Sequence, residues 1–223
     1  MSKAYVVTGA SSGIGEAVAK ALIARGDRVF AVARRGELLQ AAYGRDFCAL
    51  DLSEGGAAER VARALDGFGP LDGFVHCAGF SSPAPIAEVA RRMLAVHAVF
   101  PMEFAGLLAK RVRRTEDCAI VLLTSLAAHE ATVGNAAYAA AKGAVEAFAL
   151  TAAAELSVRG IRVHAFDPGI VDTDMVRSTW MRTMSADAVA ELISRHGGLV
   201  KREDAATKII ALLDGASKEG NRQ

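Results

Sequence analysis

The stretch Tyr5–Gly15 reads YVVTGASSGIG: a short β-branched run, a glycine-rich turn and the start of an apolar helical segment. Gly9 allows a tight turn after the strand, Gly13 lets the backbone approach a pyrophosphate, and Gly15 lets the helix pack closely on the strand. A helix that begins at such a turn points its free N–H groups and the positive end of its dipole at an anion. An ordinary βα loop can contain the same glycines, but a strand before and a helix after them favour a dinucleotide-binding unit.

The rest of the chain alternates short apolar runs with alanine- and leucine-rich segments of helical length. This alternation predicts an α/β fold, a single Rossmann-type domain whose doubly wound parallel sheet has helices on both faces. The predicted strands are Tyr5–Val7, Arg28–Val32, Phe47–Leu50, Gly73–His76, Ala119–Thr124 and Ile161–Phe166. The predicted helices are Ile14–Ala24, Gly56–Leu65, Arg91–Arg113, Ala137–Val158 and Glu203–Leu213.

Composition limits the classes of partner and site. The chain has 223 residues, 52% of them apolar, and a net charge of +1, which argues against binding nucleic acid or an anionic membrane through bulk charge. No apolar run approaches 18 residues and the first residues do not resemble an export signal. The three cysteines, Cys48, Cys77 and Cys118, therefore predict reduced thiols and a cytoplasmic protein. The histidine spacing predicts no metal site.

Further motifs follow the glycine-rich turn at fixed intervals. They are Asp51-Leu52, Ala78-Gly79, Ser125 thirteen residues before Tyr138, YAAAK at Tyr138–Lys142, and PGIVDT at Pro168–Thr173. In this order they resemble the short-chain dehydrogenase/reductase family, from Lys3 to about Met175 and more loosely to Leu213. The segments Pro168–Met175 and His196–Leu213 are most similar to its sepiapterin reductase and benzil reductase branch.

The end of the second predicted strand bears on the choice of nicotinamide cofactor. NAD-binding proteins usually carry an acidic residue there, which binds the ribose 2′-hydroxyl. Here Val29–Arg35 reads VFAVARR, so Ala33 takes that place and Arg34 follows it. A guanidinium can hold a 2′-phosphate through paired charge-assisted hydrogen bonds. The sequence therefore favours NADP(H) as cofactor, while Arg35 is either a second contact or a surface residue.

The resemblance implies roles for many residues of the cofactor site. Asp51 would accept a hydrogen bond from the adenine amino group, and Ile170 and Thr173 would hold the carboxamide. The full implied set, besides Arg34 and Arg35, is Gly9, Ser11, Ser12, Gly13, Ile14, Gly15, Asp51, Leu52, Ala78, Gly79, Tyr138, Lys142, Pro168, Gly169, Ile170 and Thr173.

Three residues form the predicted catalytic set. Tyr138 and Lys142 stand four residues apart and so share one helix face. A tyrosine titrates near pH 10, and a nearby ammonium is expected to lower that pKa. Ser125 closes an apolar strand, where its hydroxyl could donate to a carbonyl oxygen as charge develops. The resemblance implies that Tyr138 donates a proton while hydride reaches the carbonyl carbon, and that Lys142 also binds the ribose hydroxyls.

The chain departs from the family pattern at three places. His97 stands where the family has an asparagine whose backbone carbonyl holds a relay water; it either relays protons itself or only packs. The family's NNAG motif reads His76-Cys77-Ala78-Gly79, so both amides are lost. The end of the chain, Gly215–Gln223, is short, which leaves open whether the sheet has six strands or a seventh.

The sequence thus predicts an NADPH-dependent reductase of a small ketone or dicarbonyl compound, with residues 170–200 as a lid over the substrate. The resemblance implies a homodimer in which the two long alanine-rich helices, Arg91–Arg113 and Ala137–Val158, pair across a two-fold axis, with a tetramer less favoured. Two alternatives stay open: a 3-oxoacyl-carrier-protein reductase, and a catalytically weak NADPH-binding regulator. Neither nucleic acid nor a membrane is an expected partner.

Overall fold

Six parallel strands form one sheet in the spatial order β3-β2-β1-β4-β5-β6. The computed structural model describes residues 2–82, 84–112, 118–131 and 133–215, and of residues 179–183 it describes only the backbone. The strands are β1 Ala4–Thr8, β2 Arg28–Ala33, β3 Phe47–Ala49, β4 Gly73–His76, β5 Cys118–Leu123 and β6 Ile161–Phe166. The predicted doubly wound sheet is therefore confirmed, with all six strands within a few residues of their expected bounds.

The strand order creates a crevice between β1 and β4. From β1 the chain first builds outward through β2 and β3, and then returns to the other side of β1 with β4. In open α/β sheets of this kind, ligands bind beyond the carboxyl ends of the strands at such a reversal. The glycine-rich turn follows β1 there, and Cys77 to Gly79 follow β4.

Helices cover both faces of the sheet and bury two apolar cores. One core packs α1 and α9 against one face, and the other packs α3, α5 and α6 against the opposite face. Strands β1, β4 and β5 are buried along their whole length, as strands covered on both faces must be. The helices are α1 Gly13–Ala24, α2 Gly36–Tyr43, α3 Ala57–Ala64, α4 Ile86–Leu94, α5 Phe100–Ala109, α6 Ala136–Ser157, α7 Asp174–Thr183, α8 Ala186–Arg195 and α9 Arg202–Leu213.

The helical prediction was wrong in three details. The expected continuous helix Arg91–Arg113 is two helices, α4 and α5, joined by a π-helical turn at Ala95–Val99. The short helix α2 was not predicted. Helices α7 and α8, which lie within the predicted lid segment, residues 170–200, were also not predicted; a parallel bridge between Val171 and Val200 joins the two ends of that segment.

Two expectations concern residues that lie wholly or partly outside the described part of the structure. A seventh strand would need residues 216–223, which lie outside the described residues. The predicted lid includes residues 179–183, whose side chains likewise lie outside the described part of the structure.

One helical stretch, Ile86–Ala109, is long and apolar enough to cross a membrane by length and composition alone. It comprises α4, the π-turn and α5, and 56% of its most apolar window is buried inside the molecule. Phe100, Phe104 and Leu108 from this stretch are fully buried against the sheet. Because a core helix meets the same criteria, the stretch is weak evidence for membrane insertion.

Candidate active site

The glycine-rich turn packs so closely against neighbouring backbone that two of its glycines leave no room for a side chain. A Cβ on Gly15 would lie 2.5 Å from the carbonyl oxygen of Gly9, and one on Gly9 would lie 2.9 Å from the backbone nitrogen of Ala78. Gly9 and Gly13 have φ angles of 70° and 60°, which favour glycine. Ser12, the N-cap residue of α1, makes no side-chain capping bond in the described structure. The first N–H groups of α1 can therefore bind a phosphate group.

Two arginines follow β2 and border the same turn. The Arg35 guanidinium holds Ser11: its Nη2 donates to Oγ at 2.8 Å and to the carbonyl oxygen at 2.9 Å, and its Nε donates to Oγ at 3.1 Å. Arg34 is exposed, and both arginines line a cavity of about 220 Å³ together with Gly9 and Ser12. Arg35 is likewise exposed, and it contacts the glycine-rich turn directly.

The segment after β6 returns to the glycine-rich turn. A Cβ on Gly13 would lie 3.5 Å from Cγ2 of Thr173, so these predicted cofactor residues are neighbours. Ile170 is buried and its carbonyl oxygen accepts a hydrogen bond from Val200 at 2.8 Å. The N–H of Asp172 in turn donates to the carbonyl oxygen of Val200 at 2.9 Å. The segment after Pro168 is therefore fixed next to the phosphate turn by backbone bonds to the far end of the lid segment.

The predicted catalytic residues converge where β5 ends and α6 begins. Tyr138 lies in the first turn of α6, and Ser125 follows β5, close enough to the Tyr138 side chain to act on its pKa. Ser125 Oγ accepts a bond from the N–H of Ala127 at 3.3 Å. Lys142 is buried one turn further along α6, with Nζ 5.6 Å from the centroid of the Tyr138 ring. The structure thus places these three predicted side chains near one another.

Burial dominates the electrostatics of this trio. It raises the pKa of Tyr138, which the nearby Ser125 hydroxyl lowers and the charge of Asp167 raises further. The Lys142 ammonium, which was expected to lower this pKa together with the bound cofactor, lies over the ring and donates to the carbonyl oxygen of Leu123 at 2.6 Å. Burial also lowers the pKa of Lys142 to about 8, while Cys77 and Asp167 act to raise it. At neutral pH, Tyr138 is thus protonated and Lys142 predominantly charged.

His76, one of the departures from the family pattern, connects three elements. The Thr8 hydroxyl accepts from the N–H of Ala78 at 3.2 Å, so its own proton donates to Nδ1 of His76 at 2.9 Å. Nε2 of His76 then carries the ring proton and donates to the carbonyl oxygen of Val96 at 3.1 Å. Burial, followed by the charge of Lys142, lowers the pKa of His76 to about 3. A neutral histidine therefore joins β1 and β4 to the π-turn.

His97 is buried beside Tyr138, with ring centroids 5.2 Å apart in an edge-to-face arrangement. Its Nε2 lies 3.0 Å from the nitrogen and 2.9 Å from the oxygen of Phe80, while Nδ1 is buried without a partner among the described residues. A Cβ on Gly79 would lie 2.4 Å from Cε1 of His97, so the ring fills the space a side chain would need. Burial, followed by the charge of Lys142, lowers the pKa of His97 well below its usual value.

We expect His97→Asn to change the turnover rate by no more than a few fold. Because His97 stays neutral across the physiological pH range, it does not change protonation state near neutrality. The plot of kcat against pH should therefore show no inflection from His97 between pH 6 and 7. Measuring kcat against pH for wild type, His97→Asn and His97→Ala tests this. A hundredfold loss in both variants, with the fold intact by circular dichroism, would make the imidazole itself catalytic.

A polar cluster behind Ser125 was missed in the sequence. The Thr124 hydroxyl donates to one carboxylate oxygen of Glu146, whose other oxygen lies 2.8 Å from Nε2 of His129. Asp167, next to the end of β5, has its pKa raised by burial and then by the charge of Glu146. Thr124 and Glu146 are 22 positions apart in the chain, and Asp167 follows later still, so the pairing of β5 with β6 and the packing of α6 bring them together.

Comparison with known proteins agrees with this geometry. A family model for short chain dehydrogenase matches residues 3–183. L-xylulose reductase from Bos taurus is 31% identical, with 95% of this chain and 89% of that protein covered. Carbonyl reductase (NADPH) 2 from Sus scrofa is 33% identical, with 95% and 89% covered. A solved structure from Beutenbergia cavernae, provisionally assigned as an NAD(P)-dependent gluconate 5-dehydrogenase and containing NADP at low occupancy, superposes with a TM-score of 0.82 at 28% identity, covering 96% of this chain and 90% of that one.

Proposed function

Because the chain belongs to the short-chain dehydrogenase/reductase family, we propose that it reduces a small ketone or dicarbonyl compound with NADPH. The observation that carries the proposal is the convergence of Ser125, Tyr138 and Lys142 at the carboxyl end of the sheet, beside the glycine-rich turn. The proposal is of a reductase acting in the cytoplasm, with residues 170–200 covering the substrate.

The shape and charge of the turn fit the proposed dinucleotide. Gly9 and Gly15 let the turn pack directly against neighbouring backbone, and the first turn of α1 offers N–H groups to a pyrophosphate. Arg34 and Arg35 supply positive charge where β2 ends, and no carboxylate closes that strand. The residues present therefore fit NADP(H).

Bound NADPH supplies the hydride that a carbonyl carbon accepts. Side chains of the protein would then bind the carbonyl oxygen of the substrate and protonate it. Ser125 Oγ accepts a hydrogen bond from the N–H of Ala127, and the hydroxyl proton of Ser125 would be donated to a carbonyl oxygen. Tyr138 remains protonated at neutral pH and can transfer its proton to that oxygen. Lys142, released from the Leu123 carbonyl oxygen, would bind the ribose hydroxyls with its ammonium group.

We expect Arg34→Ala to remove most of the preference for NADPH over NADH. Losing a charge-assisted contact to the 2′-phosphate should weaken NADPH binding by roughly 1.5–3 kcal/mol, on the order of ten- to a hundredfold, and leave NADH binding nearly unchanged. Dissociation constants from nicotinamide fluorescence measure this. Equal affinity of the wild-type protein for the two cofactors would refute the assignment to NADP.

The relatives narrow the carbonyl compounds worth testing. Two similar proteins are named as reductases of L-xylulose and of carbonyl compounds. These names favour a small ketone as substrate, and a hydroxyketone is one of the candidates. NADPH consumption with a panel of hydroxyketones, vicinal diketones and a 3-oxoacyl thioester separates the main proposal from the carrier-protein alternative. A regulator that only binds NADPH would consume it with none of them.

A homodimer is part of the proposal. By resemblance, the helical pair α4–α5 and the long helix α6 would pack against their copies across a two-fold axis. Their outer faces expose apolar side chains, with Leu150 75% and Val99 45% exposed. Burying such side chains in a second copy would be favourable.

A further inference from the structure

One more arginine reaches the cavity that contains Arg34 and Arg35, from the opposite side. Arg92 lies in the last turn of α4 and lines the same cavity of about 220 Å³, together with Asp51 and Phe80. The glycine-rich turn and the arginines that follow β2 border one part of this cavity. The residues that follow β3 and β4, with α4, border the rest.

Arg92 spans the cavity between two anchors. Its Nη2 donates to Oδ2 of Asp51 at 2.9 Å, and its guanidinium carbon lies 5.3 Å from the centroid of the Phe80 ring. Asp51 is held in turn by Ser53, whose N–H and hydroxyl donate to Oδ1 at 3.0 Å and 2.7 Å. Burial is the largest single effect and raises the pKa of Asp51, but the hydrogen bonds from Ser53 and Arg92 and the charge of Arg92 together lower it below its usual value. The guanidinium is thus a charged, planar group with a defined position at the cavity mouth.

The surroundings of Arg92 suit a purine ring better than a phosphate group. Leu52 and Val96 are buried and give this part of the cavity an apolar wall. Asp51 already compensates the charge of Arg92, whereas Arg35 lies against the phosphate-binding turn. A planar cation opposite an apolar wall can stack on an aromatic ring placed between them.

We propose that Arg92 is a cofactor-binding residue that covers the adenine ring of the nicotinamide dinucleotide, with Asp51 holding the guanidinium parallel to it. This inference rests on the proposed function, since it requires an adenine dinucleotide in the cavity. This role differs from that of Arg34. Both NADPH and NADH contain adenine, so a side chain that stacks on the adenine ring contributes equally to the binding affinity for the two cofactors. Arg92 therefore affects affinity for both cofactors and leaves the preference between them unchanged.

The test compares Arg92→Ala with Arg91→Ala, a control on the same helix that is exposed and does not line the cavity. Dissociation constants are measured for NADPH, for NADH and for reduced nicotinamide mononucleotide, which lacks adenine. We expect Arg92→Ala to weaken NADPH and NADH by a similar factor of about three to ten and to leave the mononucleotide unchanged. Arg91→Ala should change none of the three.

Several results would overturn the proposal. A loss confined to NADPH would place Arg92 on the 2′-phosphate, and an equal loss for the mononucleotide would indicate a general distortion of the site. Full recovery in Arg92→Lys would show that charge without a planar group suffices. If the wild-type protein binds neither NADPH nor NADH, the proposed function fails as well; if it binds both equally, only the assignment of Arg34 fails and the Arg92 comparison still decides.

Discussion

Replacing Tyr138 by phenylalanine should abolish carbonyl reduction and leave NADPH affinity almost unchanged. The substitution removes only the hydroxyl, which is the group proposed to transfer a proton to the carbonyl oxygen. Loss of a positioned general acid costs on the order of 10²- to 10⁴-fold in rate. Steady-state kcat and the dissociation constant of NADPH, measured on the same preparation, separate the two effects.

Two other substitutions make this result interpretable. Tyr5→Phe is the matched control, since Tyr5 lies in the first half of β1 and bonds Arg25 away from the site; its kcat should equal that of the wild type. Lys142→Ala should lower both kcat and NADPH affinity, because Lys142 is assigned to the ribose hydroxyls as well. If Tyr138→Phe kept a tenth of the wild-type rate, Tyr138 would not be the acid.

The second large effect concerns acid stability and arises from the buried pair His76 and His97. Both are neutral in the fold because their pKa values are lowered, to about 3 for His76 and well below the usual value for His97. In the unfolded chain they titrate near pH 6.5, so below that pH the unfolded state binds more protons and stability falls. Each histidine should cost about 1.4 kcal/mol per pH unit, or together about 4 kcal/mol between pH 7 and pH 5.

The free energy of unfolding measured by urea titration at several pH values tests this. The double variant His76→Asn with His97→Asn should lose most of the acid-dependent slope, whatever its stability at pH 7. Equal slopes in the wild type and the double variant would show that the two rings are not held neutral.

The sequence predicted the sheet well because each strand is a local apolar run between segments of helical length. It did not predict the π-turn at Ala95–Val99, where the Val96 carbonyl oxygen accepts a bond from Nε2 of the distant His76. Helix α2 was missed because it buries only Leu39 and so shows little apolar periodicity, whereas α3, of the same length, buries four residues.

For the site, the sequence predicted the contacts that follow from regular spacing, but it did not predict the contacts between residues that are distant in the chain. Tyr138 and Lys142 share a helix face by spacing alone, and Ser125 ends a strand whose direction is set by the fold. By contrast, the raised pKa of Tyr138 depends on burial, and the placement of Arg92 against Asp51 depends on how α4 packs beside β3. No local pattern in the sequence encodes either feature.

The central claim is that hydride from NADPH reaches a carbonyl carbon in this site. The most direct measurement uses NADPH deuterated at the transferred position of C4, with whichever ketone of the panel is consumed fastest. The account predicts one deuterium on the new carbinol carbon for each NADP formed, and no labelled product from Tyr138→Phe on the same timescale. Oxidation of NADPH that leaves the carbinol carbon unlabelled would contradict it.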